Sequence, residues 1–142
     1  MRKALEYGIV FTVGAVGYAL IEILWRGRTH WTMALTGGAC LALIYKTEKR
    51  YGGAPRWKRC IVGSEVITLF ELAVGFLVNI LLGWAVWDYS SQPLNLFGQI
   101  CPMYSLLWFL LCMPATRFCA WFGAVMENIF HTEKIEKKRL SM

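Results

Sequence analysis

The sequence predicts an all-α membrane protein: a bundle of four transmembrane helices followed by a C-terminal amphipathic helix, with a fifth full span as the alternative. Three observations lead there. Of the 142 residues 57% are hydrophobic and only 17% charged, against roughly 25% charged in an average soluble domain. The apolar residues gather into blocks close to the length of about 20 residues that a helix needs to cross a bilayer. Aromatic residues make up 15% of the chain, seven of them Trp, and such side chains collect at the two membrane interfaces. A chain of this length forms one domain, so residues 1–142 are expected to be a single transmembrane unit.

The first block, about 7–25, ends in Trp25-Arg26-Gly27-Arg28 rather than in small residues at a cleavage site, so it reads as a retained span. The second, about 31–45, is near the minimum for a crossing, and its Gly37-Gly38 pair invites close helix packing. The third, about 61–87, is long enough to cross at a tilt and carries Ser64, Glu65, Thr68, Glu71 and Asn79 inside it. The fourth, about 97–113, is expected to stop at Pro114, which lacks the N–H that a continuing helix needs. Beyond it Phe118, Trp121, Phe122, Val125, Met126, Ile129 and Phe130 recur at three- and four-residue steps, which predicts an amphipathic helix over 114–131. The remaining 132–142 form a polar tail that is expected to be flexible.

The net charge of +6 comes from 15 Lys and Arg against 9 Asp and Glu. These cations lie between the apolar blocks and in the tail, not along one helix face, so they are topology signals and nucleic acid is not an expected partner. Arg2 and Lys3 precede the first block, Lys46 to Arg59 hold six cations, and the loop from Asp88 to Leu96 has none. The pattern places both termini in the cytoplasm of a bacterial cytoplasmic membrane, with Arg26 and Arg28 as the exceptions on the outer side. The five cysteines form no CxxC pair and no cluster with His at zinc spacing; they read as small buried hydrophobes, and neither metal nor cofactor is expected. A phosphate-binding loop, a nucleophile elbow and a His-Glu-x-x-His helix are all missing, so ATPase and hydrolase chemistry lack support and no catalytic residue is assigned.

The polar residues inside the blocks carry the functional reading. Gly14, Tyr18, Glu22 and Arg26 are spaced by four and share one helix face, where Glu22 and Arg26 can pair. Glu71, Gly75, Asn79 and Gly83 repeat the spacing on the third block. An ionisable group at the centre of a spanning helix costs about 2.5 to 3.5 kcal/mol on insertion scales, so Glu71 needs a partner, water or a proton. Glu22, Arg26, Arg28 and His30 at the outer end of the first helix and its short loop can converge with Asp88, Tyr89 and Gln99 at the outer ends of the third and fourth. From these, Glu22, Arg26, His30, Asp88 and Gln99 form with Glu71 and Asn79 the candidate substrate-binding set: Arg26 for an anionic group, Glu22 and Asp88 to orient Arg26. A salt bridge tying helix ends together, and proton or ion coupling, are the competing readings. Trp57, Trp84, Trp87 and Trp108 read as interfacial belt residues.

Taken in order, Gly17-Tyr18-x-x-x-Glu22-x-x-x-Arg26, His30-Trp31-Thr32-Met33 with Gly37-Gly38, Glu71-x-x-x-Gly75-x-x-x-Asn79, Trp87-Asp88-Tyr89-Ser90 and Asn95-x-x-Gly98-Gln99-Ile100 form a set. It resembles the family of type IV ABC-transporter permeases over about Gly14 to Trp108. The family's shared residues are the polar ones singled out above, and the two together lead to a small permease or permease subunit that binds a polar or anionic solute, with a separate ATPase or other membrane partner as an open option. Four short helices enclose little volume, so a path is expected between protomers of a homo-oligomer in membrane lipid, with Gly37, Gly38, Gly75 and Gly83 at close contacts. Two alternatives stand beside it: a membrane enzyme acting on lipid or isoprenoid head groups through Glu22, His30 and Asp88, and a non-catalytic assembly partner.

Overall fold

A computed structural model of the chain describes residues 2–140, and among these the side chains of residues 2–132. The described residues form four helices joined by two tight turns and one long irregular segment: α1 (Arg2–Arg26), α2 (Trp31–Tyr51), α3 (Arg56–Gly75) and α4 (Pro102–Leu140). The last turns of α3 widen into a π-helix over Phe76–Leu81, closed by Leu82 N–H donating to the Leu77 carbonyl at 3.0 Å. Three of these helices are long and apolar enough to cross a membrane: α1, α3 with its π extension, and α4 as far as Thr132.

The helix outside that group, α2, is the centre of the bundle. It packs on α1, α3 and α4, and Thr32, Met33, Thr36, Gly37, Gly38, Cys40, Ile44, Tyr45 and Glu48 are all buried in it. A helix wrapped by its neighbours has less need of apolar side chains facing lipid, which is why its composition is the most mixed of the four. Its approach to α1 is close: a Cβ on Gly38 would strike Phe11, one on Gly37 would strike Tyr18, and one on Gly14 would strike Leu41. These glycines bring two backbones together within one chain. Gly37, Gly38 and Gly75 are therefore filled from inside the protomer, not held at a surface for a second copy as the sequence predicts, and Gly83 is a turn residue with φ +66°.

Two boundaries differ from the sequence reading. The fourth helix starts at Pro102, not at 97, because Leu94, Phe97 and Gly98 take left-handed φ values of +56°, +53° and +67° and an isolated bridge pairs Leu96 with Ile100. Proline at the first helical position loses nothing, since the N–H it lacks has no intrahelical partner there. At its other end the helix does not stop at Pro114 but runs through it. Pro114 leaves the Leu110 carbonyl, four residues back, without its donor, and the packing of α4 on α2 and α3 carries the helix through that loss; just beyond, the Thr116 hydroxyl donates to the carbonyls of Cys112 at 2.8 Å and Met113 at 3.2 Å. The amphipathic stretch over 114–131 is thus the second half of α4, with Cys119, Phe122 and Met126 buried, and there is no separate helix. The tail expected over 132–142 lies almost wholly outside the residues whose side chains are described.

Helices α1 and α4 are held apart. They meet where Tyr18 and Trp108 pack with ring centroids 5.7 Å apart, and again where the Arg2 guanidinium lies over Phe130. All five cysteines are free and buried, and Cys60 and Cys112 sit where α3 packs on α4. We call the end carrying the α2–α3 turn the turn end and the opposite one, which carries residues 82–101, the loop end.

Candidate functional site

The site is built from the four-residue spacing of α1, which buries Glu6, Val10, Gly14, Tyr18 and Glu22 in one stripe. At the top of the stripe Glu22 is buried and doubly held: Arg26 one turn on donates to Oε1, and the Thr29 hydroxyl donates to Oε2 at 2.8 Å. Arg26 also reaches the Val86 carbonyl at 3.4 Å, tying α1 to the irregular segment. One turn below, the Tyr18 hydroxyl donates to Glu71 Oε1 at 3.4 Å.

Glu71 is 1% exposed and lies about one turn before the end of α3, inside the apolar stretch that continues through the π-helix. Its partners are all neutral: Trp108 Nε1 donates to Oε2 at 2.6 Å, and the hydroxyls of Tyr18 and Tyr89 donate to Oε1 at 3.4 Å each. Tyr89 is brought there by the irregular segment, which is folded tightly on itself. Its N–H donates to the Gly98 carbonyl at 2.7 Å, its ring stacks on Tyr104 with centroids 4.2 Å apart, and Asn95 clamps Ser90, Gln92 and Gly98. The left-handed Leu94 and Phe97 cost about 1 kcal/mol each or more, and strain of this kind tends to gather where geometry serves function.

A second polar layer caps the first. Asn79, turned by the π-helix, donates to Gln99 Oε1 and accepts from Val86 N–H, both at 2.7 Å. Trp87 Nε1 donates to the Gln99 carbonyl at 3.0 Å, and Gly75 leaves the room that Gln99 and Trp87 occupy.

Of the seven residues singled out from the sequence, Glu22 joins Arg26 and Asn79 joins Gln99, while Glu71 sits between them against rings. His30 joins neither pair: it is the N-cap of α2, its Nδ1 accepts from Thr32 N–H at 3.4 Å, and its ring packs against Trp31 and Trp84, lining a recess beside Arg26. Asp88 is exposed and accepts from Ser90 N–H at 2.8 Å, and the hydrogen bonds from Ser90 hold its carboxyl below the usual range. The residues missing from that set are Tyr18, Tyr89 and Trp108. Trp57 and Trp84 are exposed as belt residues should be, but Trp87 and Trp108 are buried and spend their N–H groups on Gln99 and Glu71. The signal for Trp108 was available: it opens a run of polar or small residues, Trp108, Cys112, Thr116 and Cys119, at helical spacing and all buried.

A cavity of about 180 Å³ opens between α1 and α4, lined by Tyr18, Glu22, Trp25, Arg26, Tyr89, Tyr104 and Trp108 with Ile21, Leu107 and Leu111. The three rings that hold Glu71 thus form part of its wall, with the Glu22–Arg26 pair above. Among the described residues no group of three or more His, Cys, Asp or Glu is placed to hold a metal ion.

Residues 4–127 match the family model described as "Putative ABC-transporter type IV". The chain belongs to that family. The match covers all four helices through Glu127, including every residue of the site, so the type IV ABC-transporter family is where the Glu22, Glu71 and Gln99 layers have their context. Family membership and three apolar helices of span length make this a membrane protein related to transport. No curated protein and no solved structure matches the chain.

Proposed function

We propose that the chain is the membrane-embedded, permease-type subunit of a transport system, and that the cavity between α1 and α4 is its substrate site. The observation that carries this reading is that one buried carboxylate, Glu22, lines the cavity with its cation Arg26, while a second, Glu71, lies behind the wall, held by the three rings, Tyr18, Tyr89 and Trp108, that line it. Burying an ionisable group at membrane depth costs about 2.5 to 3.5 kcal/mol on insertion scales, and groups that bear this cost are functional by default. Arg26 has five N–H donors and spends only part of them on Glu22 and Val86, which leaves donors for an anionic group on the substrate.

In this reading α2 also crosses, giving four spans, and the cationic α2–α3 turn lies in the cytoplasm with both termini. That turn, from Lys46 to Arg59, is the docking surface for an ATP-hydrolysing partner. Glu65 supports a homo-oligomer: it is exposed on α3 beside exposed Ile61, Val62 and Leu69, at a depth where a second protomer would shield it from lipid.

The test is thermal stability of the purified protein titrated with inorganic phosphate, glycerol 3-phosphate and acidic amino acids. At least one should raise Tm with dose, as a ligand selective for the native state does, and Arg26→Gln should abolish the rise. A Tm indifferent to every anion in the wild type removes the proposed site.

A further inference from the structure

Below the cavity, the gap between α1 and α4 continues as a groove of about 280 Å³, and the two share Tyr18, Ile21 and Leu111 as lining. Its walls are almost wholly apolar: Val13 and Gly17 on α1, Leu41 and Ile44 on α2, Pro114 and Phe118 on α4. From Val13 to Arg26 the combined groove runs about 20 Å at 1.5 Å per residue, somewhat more than one leaflet's share of roughly 30 Å of hydrocarbon. At about 30 Å³ per methylene-sized group, close to the share of a water, the two volumes hold about fifteen such groups. A partner helix, at least 10 Å across, does not fit a slot of that volume.

The polar end has the complementary character. Arg26 lines the cavity and also a recess of about 150 Å³ on its other side, shared with Arg28, Thr29, His30 and Trp84. Arg28 is exposed, so the pair carries one positive charge beyond what Glu22 neutralises. His30, Trp31 and Trp84 pack together beside it with ring centroids 5.5 to 6.0 Å apart, the kind of aromatic cluster that marks headgroup depth.

We propose that the substrate of this site is a membrane phospholipid, which enters sideways from the bilayer with its phosphate at Arg26 and Arg28 and one acyl chain in the groove between α1 and α4. This rests on the reading of the cavity as the substrate site and names what fills it. Charge, depth, length and volume each point to the same occupant. The two glycines of α1 with nothing within 4 Å of an added Cβ offer a matched pair of variants: Gly17 lines the groove, and Gly8 does not.

The experiment uses the full chain in nanodiscs with a phosphatidylglycerol whose acyl chain carries a photoreactive diazirine near its middle, followed by mapping of the labelled peptides. Label should concentrate on peptides containing Gly17–Ile21 and Leu111–Phe118. Gly17→Trp should cut it about tenfold, the equivalent of about 1.4 kcal/mol in occupancy, while Gly8→Trp leaves it unchanged. Ile21→Trp, at the exposed rim, serves the same purpose if Gly17→Trp does not fold. Arg26→Gln should erase the preference for phosphatidylglycerol over an uncharged diacylglycerol probe. Label spread evenly over exposed faces and indifferent to Gly17→Trp overturns the lipid. If soluble anions still raise Tm through Arg26 in that case, the substrate site itself survives; if they do not, both readings fall.

Discussion

The two ends of the bundle bury carboxylates in opposite ways. At the turn end Glu6 and Glu48 are buried and each has a cation: Lys49 lies 2.7 Å from Glu6, and Arg59 pairs with Glu48. Toward the loop end Glu22 follows the same plan with Arg26, but Glu71, the most deeply buried of the four, is met only by an indole and two phenols. The two turn-end salt bridges fix α1 to α2 and α2 to α3. A carboxylate held by ring donors that also wall a cavity stays responsive to what enters that cavity. The contrast separates a fastening from a working part, and mutation can break it.

The largest expected effect is at the fastening. Glu48→Ala leaves Arg59, largely buried, without its counter-charge, and removing one partner of a buried pair typically costs about 3 to 5 kcal/mol. The double variant Glu48→Met with Arg59→Met should recover most of that loss, because replacing both members with apolar groups is often neutral. Thermal unfolding in nanodiscs reads both. If the double variant is no better than the single one, the pair does more than fasten. Glu71 permits no such rescue. Trp108→Phe removes its shortest hydrogen bond and should cost about 1 to 3 kcal/mol, the range for stripping a buried acceptor of a partner. Tyr18→Phe and Tyr89→Phe, whose bonds are 3.4 Å long, should each cost less, about 0.5 to 1 kcal/mol. Equal losses at all three would mean that the rings act through packing and not through their donors.

The same contrast sorts what the sequence could reveal. The stripe at Gly14, Tyr18, Glu22 and Arg26 was legible because one helix face repeats at a spacing that needs no tertiary knowledge, and α1 buries Gly14, Tyr18 and Glu22 along it. Glu71 was legible from the cost of its setting. Its contact with Tyr89 was not, because Tyr89 reaches it from an irregular segment whose path depends on left-handed Leu94 and Phe97, residues that carry no signature for that conformation. Asp88 was placed with Arg26 by its position at a helix end, yet the turn at Ser90 holds it instead. The π-helix ended the stripe of Glu71 and Gly75 before Gly83, since five-residue hydrogen bonds break the four-residue spacing. Pro114 costs its helix one hydrogen bond, to the Leu110 carbonyl, and the packing of α4 on α2 and α3, which no local pattern shows, carries the helix through it.

The smallest effect tests whether the turn-end fastening is electrostatic. Burial alone would lower the Lys49 ammonium, but its hydrogen bonds to Glu6 and Tyr45 and their charges outweigh that and hold it above its ordinary value of 10.5. A cation whose folded value is raised binds its proton more tightly folded than unfolded, so folding gains while both forms are protonated. That gain is complete below pH 10.5 and disappears as pH rises through the higher folded value. Lys49 is about a third exposed, so solvent screens the pair and the contribution stays within the 1 kcal/mol or so of a surface ion pair. Wild type should therefore lose a small increment of stability above pH 10.5 relative to Lys49→Met, and the difference should shrink in high salt. A difference that ignores both pH and salt would assign Lys49 to packing on the Tyr45 ring, over which its ammonium lies 5.1 Å from the centroid, and would leave Arg59 as the ionic fastener of the turn end.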